Sequence, residues 1–214
     1  MSYPKVDYQD STIQVSQKNR NEIMNEIEIV KLAVQGDRAA FAEIVKKYQG
    51  RIYNLGLRMT GNEQDAEDIL QETFLSALQN IANFAMKSAI YTWLYRIAVN
   101  FGLKKLQHRK KQYGHIDIDD PDTDKLSHEA LHDWPDFNER KVNDKHFQEK
   151  LNEAMMELPE KYRTVFILRD LHEVSTVDTA KILNITESNT KVRLMRARNF
   201  LKDKLEDMLS HEEL

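Results

Sequence analysis

The chain has 214 residues, a formal net charge of −4 and no cysteine, which excludes disulfides, thiolate metal sites and a thiol nucleophile. Charged residues make up 31% of the sequence, and no apolar run approaches the roughly 18 residues that a membrane-spanning helix needs. With no signal-peptide pattern at the start of the sequence, we expect a cytoplasmic protein without membrane insertion, long enough for two small domains.

Helical periodicity dominates residues 26–112, which are predicted to form the first helical domain. Residues 1–25 are polar without periodicity and are predicted to be a disordered arm. Asp37 is placed to cap a long helix that ends at Gly61, and Asn62 opens the next helix.

The helix after Asn62 is predicted to separate an apolar side from an acidic side. Asp65, Asp68 and Glu72 recur at steps of three and four on the acidic side, with Leu75 next to them. Both aspartates are expected to be exposed. An acidic ridge beside an exposed leucine suggests a protein partner with a basic groove, and an ordinary solvated face is the alternative.

Residues 90–111 combine an apolar stripe with a cationic outer side. Between Phe84 and Lys111 there are seven Lys or Arg and no Asp or Glu. This segment can follow phosphates while Tyr91 or Trp93 stacks on an exposed base, which indicates a nucleic-acid surface. The alternative is a solvated basic helix with Trp93 in the core. The residues predicted to be buried are Ile90, Leu94, Ile97 and Phe101.

Residues 113–145 are predicted to form a flexible acidic linker. From His115 to Asp144 there are ten acidic residues against three basic ones, with two prolines and no sustained periodicity. The histidines of this segment lack a rigid scaffold, so no metal site is expected, and nothing in the sequence calls for a cofactor.

Residues 146–214 are predicted to form a second helical domain that contains a helix-turn-helix. Ser175 is placed to cap a short helix, Asn184 can adopt the turn conformation at its exit, and Thr186 can cap a longer basic helix. The fold class that follows is all-α, with two small helical domains joined by a flexible acidic linker.

The outer face of the last helix carries the candidate base-reading residues. Phosphate contacts that position the helix are expected from Arg193, Arg196 and Arg198. Base edges are within reach of Ser188, Asn189, Lys191, Val192 and Met195, of which Val192 and Met195 suit thymine methyl groups. An amphipathic surface helix is the alternative.

Three segments, read together, resemble bacterial sigma-70-family RNA polymerase sigma factors of the extracytoplasmic-function (ECF) group, near its sigma-E branch. They are DAEDILQETF at 65–74, TWLYRIAVN at 92–100 and LPEKYR at 158–163. The resemblance implies a subunit that binds core RNA polymerase, directs it to promoters through the minus-35 and minus-10 elements, and promotes promoter melting.

The resemblance also implies roles for individual residues. Contacts with the clamp helices of core polymerase fall to Asp65, Asp68, Gln71, Glu72 and Leu75. Contacts with the minus-10 element fall to Lys87, Ser88, Tyr91, Trp93, Arg96, Asn100 and Lys104. The second domain would read the minus-35 element through the residues given above and lie on the polymerase flap. An anti-sigma factor is the further partner that the resemblance implies, and a stress response is the usual setting.

Three departures from the family pattern lead us to expect a distinct promoter preference. The chain reads Phe84-Ala85-Met86-Lys87-Ser88 where the family commonly has Phe-Arg-Gly-Glu/Asp-Ser, and it has Lys104 where an Asp is frequent. The recognition helix carries 188–193 SNTKVR in place of the usual Gly-Thr-Val-Lys-Ser-Arg.

Two other functional classes fit the sequence less well than a sigma factor does. An autonomous helix-turn-helix regulator would use the second domain alone and leave the acidic helix unexplained. An enzyme is not expected, because the sequence has no nucleotide-binding glycine loop, metal-ligand spacing or Ser/His/Asp arrangement, and no small-molecule substrate is implied.

Overall fold

The computed structural model describes residues 25–112 and 145–210, and within these residues the chain is helical with no strand, as predicted. The first domain comprises residues 25–34 (α1), Arg38–Thr60 (α2), Glu63–Asn80 (α3), a 3-10 turn at Ile81–Asn83, and Ile90–Gln112 (α4). The second comprises Lys145–Glu157 (α5), Glu160–Phe166 (α6) continued by a π-helical turn at Ile167–Leu171, Thr176–Leu183 (α7) and Glu187–Ser210 (α8). The predicted arm and linker lie almost wholly outside the described residues.

The predicted caps of the first domain are confirmed. The carboxylate of Asp37 accepts hydrogen bonds from the backbone N–H groups of Ala39 and Ala40, at 2.8 and 3.1 Å. Gly61 ends α2 in the left-handed conformation with φ 66°, and Asn62 caps α3 by accepting from the N–H of Asp65 at 2.9 Å. Short-range chemistry therefore fixes where these helices begin and end.

Two glycines inside helices allow close packing in the first domain. A Cβ atom at Gly56 would lie 3.2 Å from the Cα of Ala66, so α2 and α3 approach each other closely at this point. A Cβ at Gly102 would lie 2.8 Å from the Cε of Met59. Each glycine lowers helix propensity by about 1 kcal/mol relative to alanine, and the close packing of α2 with α3 and α4 offsets that cost.

The buried side of α4 is wider than the predicted stripe. Ile90 and Leu94 are buried as predicted, and Ile97 and Phe101 are partly buried and pack against the core. The fully buried residues that periodicity missed are Tyr95, Ala98 and Val99. The reason is that α4 packs against α2 and α3 on one side and against α7 on another, so more than one stripe is covered.

The second domain packs α5, α6 and the π-helical turn against α8. Its core is built from side chains that are at most 5% exposed, namely Phe147, Leu151, Met155, Leu158, Val165, Phe166, Ile167, Leu168, Leu201 and Leu205. The buried stripe of α8 consists of Thr190, Leu194, Ala197, Leu201 and Leu205. This core holds α5, α6 and α8 together.

Arg163 of α6 joins the two domains at the end of α2. Its residue is only 9% exposed, and its Nη1 donates a hydrogen bond to the carbonyl oxygen of Met59 at 3.0 Å. Nε and Nη2 donate to the carbonyl of Leu158 at 3.3 and 3.0 Å. A cation from the second domain therefore caps the C-terminal end of α2, where carbonyl groups lack helical partners and the helix dipole is negative.

Neither a bilayer-spanning helix nor a metal-binding cluster occurs in residues 25–112 and 145–210. Every helix there is too short or too polar to cross a membrane. No three acidic or histidine side chains in these ranges are grouped so that they could hold a metal ion.

Candidate functional site

The acidic side of α3 is partly neutralised by α4. Nζ of Lys105 lies 3.1 Å from Oδ1 of Asp65 and 2.7 Å from Oδ2 of Asp68, and Nη2 of Arg109 lies 2.5 Å from Oδ2 of Asp65. The side chain of Asp65 is only 15% exposed, and that of Asp68 is 42% exposed. The predicted exposure is therefore wrong for Asp65, because α4 brings two cations against it.

These ion pairs shift two pKa values. Hydrogen bonding and charge from Lys105 lower the pKa of the Asp68 carboxyl below its usual value. Burial alone would lower the pKa of Lys105, but its hydrogen bonds to Asp68 and Asp65 outweigh that effect and raise it. The side chains of Asp68 and Lys105 thus stay charged at neutral pH.

The outward surface of α3 carries an apolar pair beside polar side chains, which we call the α3 patch and define as Gln71, Glu72, Leu75 and Leu78. Leu75 is 54% exposed and Leu78 is 50% exposed, and Gln71 and Glu72 are exposed next to them. Leu78 was missed in the sequence, although its spacing of three from Leu75 is a helical signal. Two large exposed leucines one turn apart are typical of a protein-binding surface.

Four of the predicted DNA-binding residues line one cavity of about 260 Å³ at the start of α4. They are Lys87, Ser88, Trp93 and Arg96, and the rest of the lining comes from Thr92 and from Lys181 of α7. Asn100 and Lys104 follow along the same helix and are exposed. The cavity thus brings three cations and one indole together, a combination that suits a nucleotide with its phosphate.

Trp93 is neither free in solvent nor fully in the core. Its ring is partly buried and lies 5.0 Å from the ring of Phe84, measured between centroids, with an interplanar angle of 31°. Phe84 is itself buried at 8% exposure. The loop before α4 therefore packs Phe84 against the ring of Trp93, and Trp93 also lines the cavity.

The altered loop keeps a backbone conformation that glycine favours. Met86 stands where the resembling family commonly has Gly, and its φ is 53°. A side chain in this region is uncommon and strained, so the surrounding structure holds the loop in place. Met86 also lines a groove of about 440 Å³ between the loop and α1, together with Ile27, Val30 and Ile90.

The helix-turn-helix has the predicted turn chemistry. Oγ of Ser175 accepts from the N–H of Asp178 at 3.0 Å, and Asn184 adopts the left-handed conformation with φ 54° at the end of α7. Oγ1 of Thr186 accepts from the N–H of Asn189 at 3.1 Å and so caps α8. All three predictions are confirmed, and they set the angle at which α8 leaves the turn.

Two of the predicted phosphate contacts on α8 bond within the second domain. Arg198 makes two hydrogen bonds to the carboxylate of Asp170, at 2.8 Å from Nε and 2.6 Å from Nη2. Arg196 donates from Nη1 to the hydroxyl of Tyr162 at 3.1 Å. The third arginine, Arg193, has no described hydrogen bond or ion pair. Among the candidates for reading base edges, Ser188 and Lys191 are exposed.

His172 connects the second domain to α4 and is held neutral. Its Nδ1 lies 3.0 Å from the hydroxyl of Tyr95, and the two rings meet edge to face with centroids 5.5 Å apart. Burial, with smaller contributions from the charges of Arg58 and Arg51 on α2, lowers the pKa of His172 to about 4. His172 lines a cavity between the two domains, together with Asp170 and Glu173.

The free energy of unfolding is expected to fall as the pH drops from about 6.5 towards 4. In that window His172 binds a proton in the unfolded chain but not in the folded chain. Above pH 6.5 His172 is neutral in both states and contributes nothing to the pH dependence. The slope from this residue is up to about 1.4 kcal/mol per pH unit. Urea unfolding of the wild type and His172→Gln across pH 4.5–7.5 measures it.

The exposed His108 on α4 provides the matched control for this titration. His108→Gln should leave the pH dependence of the unfolding free energy as it is in the wild type, and His172→Gln should flatten it. A profile that His172→Gln leaves unchanged would show that other groups cause the dependence.

Comparisons with known proteins agree with the two-domain division. Residues 44–112 match the family model described as Sigma-70 region 2, and residues 148–201 match that described as Sigma-70, region 4. The ECF RNA polymerase sigma factor SigW of Bacillus subtilis is 35% identical over 181 residues, 84% of this chain and 96% of that protein. The RNA polymerase sigma-H factor of Pseudomonas aeruginosa is 31% identical, over 85% of this chain and 94% of that protein.

Two solved structures share the fold at low sequence identity. CnrH, in complex with the cytosolic domain of CnrY, superposes with a TM-score of 0.62 at 18% identity, covering 84% of this chain and 96% of that chain. The sigma factor RpoE from Bartonella quintana, in complex with the anti-sigma factor NepR, gives a TM-score of 0.59 at 22% identity, covering 78% and 96%.

Proposed function

The chain belongs to the ECF group of the sigma-70 family of RNA polymerase sigma factors, and from this we propose which of its surfaces bind core polymerase and which bind promoter DNA. The first domain, residues 26–112, binds core polymerase and the minus-10 element. The second domain, residues 146–214, reads the minus-35 element. Sigma factors are initiation factors that act with polymerase, and binding free energy rather than covalent chemistry opens the promoter.

The observation that carries this proposal is the presence of both family regions, in the family's order, in one chain. An autonomous helix-turn-helix regulator would need only the region that spans residues 148–201. Such a regulator would leave the match over residues 44–112 unexplained. In addition, the two relatives that cover about 85% of this chain are sigma factors. The alternative is therefore not supported.

For core polymerase we propose the α3 patch, with Asp68 at its edge, as the contact with the clamp helices. The exposed leucines supply apolar area at the centre, and Glu72 and Gln71 supply a polar rim that suits a basic groove. Asp65 is assigned a supporting role, because its carboxylate holds Lys105 and Arg109 of α4 in place.

For the minus-10 element we propose the cavity at the start of α4 as the place where an unstacked base is held. Unstacking a base costs a few kcal/mol, and stacking on an aromatic ring returns about 1–3 kcal/mol. Trp93 provides that ring, while Lys87 and Arg96 neutralise phosphates. Tyr91, Asn100 and Lys104 extend the contact along the helix.

On α8 we expect two kinds of substitution to separate. Arg193→Ala removes a phosphate contact and should weaken minus-35 binding by a similar factor on all sequences. Val192→Ala or Met195→Ala should change the preference between sequences, with about 1 kcal/mol per altered base contact. Binding-site selection with the holoenzyme, followed by affinity measurements on the selected sites, distinguishes the two. Equal effects on every site from all three variants would contradict this division.

An anti-sigma factor is the further partner that we propose. Among the solved structures, RpoE is bound to the anti-sigma factor NepR, and CnrH is bound to the cytosolic domain of CnrY. We propose that each domain carries a surface for polymerase or DNA, so a single inhibitor that contacts both domains would cover both surfaces.

The proposed function is tested by gel filtration of the purified chain with bacterial core RNA polymerase, followed by transcription from promoters selected with the complex. Co-elution and start-site-specific transcripts are the expected result. A folded chain that elutes apart from core polymerase, and that binds a duplex operator by itself, would overturn the proposal.

A further inference from the structure

The cavity at the start of α4 has a buried hydroxyl group in its wall that lacks a hydrogen-bond partner. Thr92 is only 4% exposed, and it lines the cavity beside Trp93 and Ser88. Its Oγ1 has almost no solvent-accessible area and makes no hydrogen bond within residues 25–112 and 145–210. A buried polar group without a partner is unfavourable, and at a binding site the ligand can supply the missing partner.

The neighbouring hydroxyl of Tyr91 does not satisfy Thr92. Tyr91 donates its own proton to Oδ2 of Asp178 on α7, at 2.6 Å. Burial and this hydrogen bond raise the pKa of Tyr91, and the nearby hydroxyl of Thr92 opposes that rise without forming a hydrogen bond. Thr92 therefore keeps both its donor and its acceptor for a group that enters the cavity.

The surroundings of Thr92 are electropositive. Ser88, Thr92 and Arg96 follow one another at steps of four, the spacing that aligns side chains along a helix. They lie at the N-terminal end of α4, where the first N–H groups of a helix have no helical partners and the helix dipole is positive. Lys87 and, from α7, Lys181 add their charges to that of Arg96 in the cavity wall. A group that accepts hydrogen bonds and carries partial negative charge is therefore favoured next to Thr92.

Among the polar groups of the nucleobases, carbonyl oxygens meet this requirement best. Guanine, cytosine and thymine each have a carbonyl oxygen, whereas adenine accepts hydrogen bonds only through ring nitrogens. The hydroxyl of Thr92 can turn towards such an oxygen, because threonine in a helix occupies either of two χ1 rotamers. A site built to hydrogen-bond its ligand discriminates against one that lacks the matching group, since the polar group of the site is then left unpaired.

We propose that the hydroxyl of Thr92 donates a hydrogen bond to a carbonyl oxygen of the unstacked minus-10 base, and so selects guanine, cytosine or thymine over adenine at that position. The proposal rests on the proposed function, since it takes the cavity as the place where this base is held. Trp93 stacks on a base of any identity, and Lys87 and Arg96 neutralise phosphates, so these three side chains bind without regard to sequence. Thr92 adds the discrimination.

The contact is tested with the holoenzyme and promoter fragments whose minus-10 segment is single-stranded on the non-template strand. Each nucleotide of that segment is replaced in turn by adenine and by an abasic unit. At the position of the unstacked base, the wild type should lose at least about tenfold in affinity with either replacement, because the hydrogen bond is lost.

Thr92→Val keeps the shape of threonine and removes the hydroxyl. It should bind the intact fragment about tenfold more weakly than the wild type does, and it should no longer distinguish that fragment from the one with adenine. On the abasic fragment the variant and the wild type should bind alike, because neither can form the hydrogen bond.

Thr73→Val is the matched control. Thr73 on α3 is fully buried and its Oγ1 also lacks a described partner, but it is not part of the cavity wall. This variant should show the wild-type affinity and the wild-type preference against adenine. Thr92→Ser keeps the hydroxyl and should keep that preference, which separates the loss of the hydroxyl from a disturbance of α4.

The results separate the role of Thr92 from the assignment of the cavity. If Thr92→Val weakens binding of the intact and abasic fragments by the same factor, or keeps the wild-type preference against adenine, the role of Thr92 is overturned and the minus-10 assignment stands. If no abasic replacement weakens binding by the wild type, the cavity holds no base, and the minus-10 assignment fails together with the proposal.

Discussion

Leu75→Arg is expected to weaken binding of the chain to core RNA polymerase by at least about 100-fold. Leu75 is 54% exposed at the centre of the α3 patch, so the change leaves the core intact. In the complex, the arginine would be forced into an interface that excludes water and faces a basic groove, where both desolvation and like charge oppose binding. Truncation of a central interface side chain typically costs 2 kcal/mol or more, and an unpaired buried charge adds to that.

The matched control for this variant is Leu32→Arg. Leu32 lies on α1, is 42% exposed and belongs to no surface that we assign to polymerase. Titration of labelled core polymerase should give the wild-type affinity for Leu32→Arg and a greatly raised dissociation constant for Leu75→Arg. If the two variants bind equally well, the α3 patch is not the polymerase contact.

Substitution of Asp65 is a poorer test of the same interface. Its carboxylate holds Lys105 and Arg109 from α4, so Asp65→Arg places three cations together inside the first domain. A loss of polymerase binding in that variant would report a disturbed fold as readily as a lost contact. Glu72→Lys, at an exposed position without a described partner, is the cleaner charge change on α3.

Arg163→Leu is expected to lower the free energy of unfolding by about 3 kcal/mol. Arg163 is 9% exposed, and its guanidinium donates to the carbonyls of Met59 and Leu158. Hydrogen bonds from a charged donor contribute about 1.5–3 kcal/mol each. Burial lowers the pKa of Arg163, and the retained charge is offset by those carbonyls and by the end of α2. Urea unfolding followed by circular dichroism measures the loss.

Arg163→Lys separates charge from geometry. Lysine keeps the positive charge but cannot donate to Met59 and Leu158 from a planar fork, so it should recover only part of the lost stability. Arg193→Leu on the outer face of α8 is the control, because it removes an arginine that has no described partner. A stability loss in Arg163→Leu no greater than in Arg193→Leu would show that Arg163 does not join the domains.

The features that the sequence predicted well depend on neighbours within a few residues. The caps at Asp37, Asn62 and Ser175 follow from side chains that accept from backbone N–H groups two or three positions away, and at the left-handed turn the N–H of Asn184 donates to the carbonyl of Ala180, four positions back. These contacts form wherever the local sequence allows them, so periodicity and turn chemistry suffice. The all-α fold and the helix-turn-helix could therefore be predicted.

The features that were missed depend on contacts between distant segments. Asp65 is covered because Lys105, forty residues away, packs against it, and the hydroxyl of Tyr95 meets His172, 77 residues away. No pattern within α3 or α4 carries that information, since each residue sits at an ordinary helical position. Leu78 is different, because its spacing from Leu75 was present in the sequence.

The contact between Arg163 and the carbonyl of Met59 also has a consequence for the order of synthesis. The two residues are 104 positions apart, so at about 5–20 residues per second α2 is made roughly 5 to 20 s before the side chain that caps it exists. During that interval the nascent first domain folds with the end of α2 open to water. On the ribosome, then, the sides of α2 and α4 that face the second domain stay uncovered until the last third of the chain emerges and packs against them.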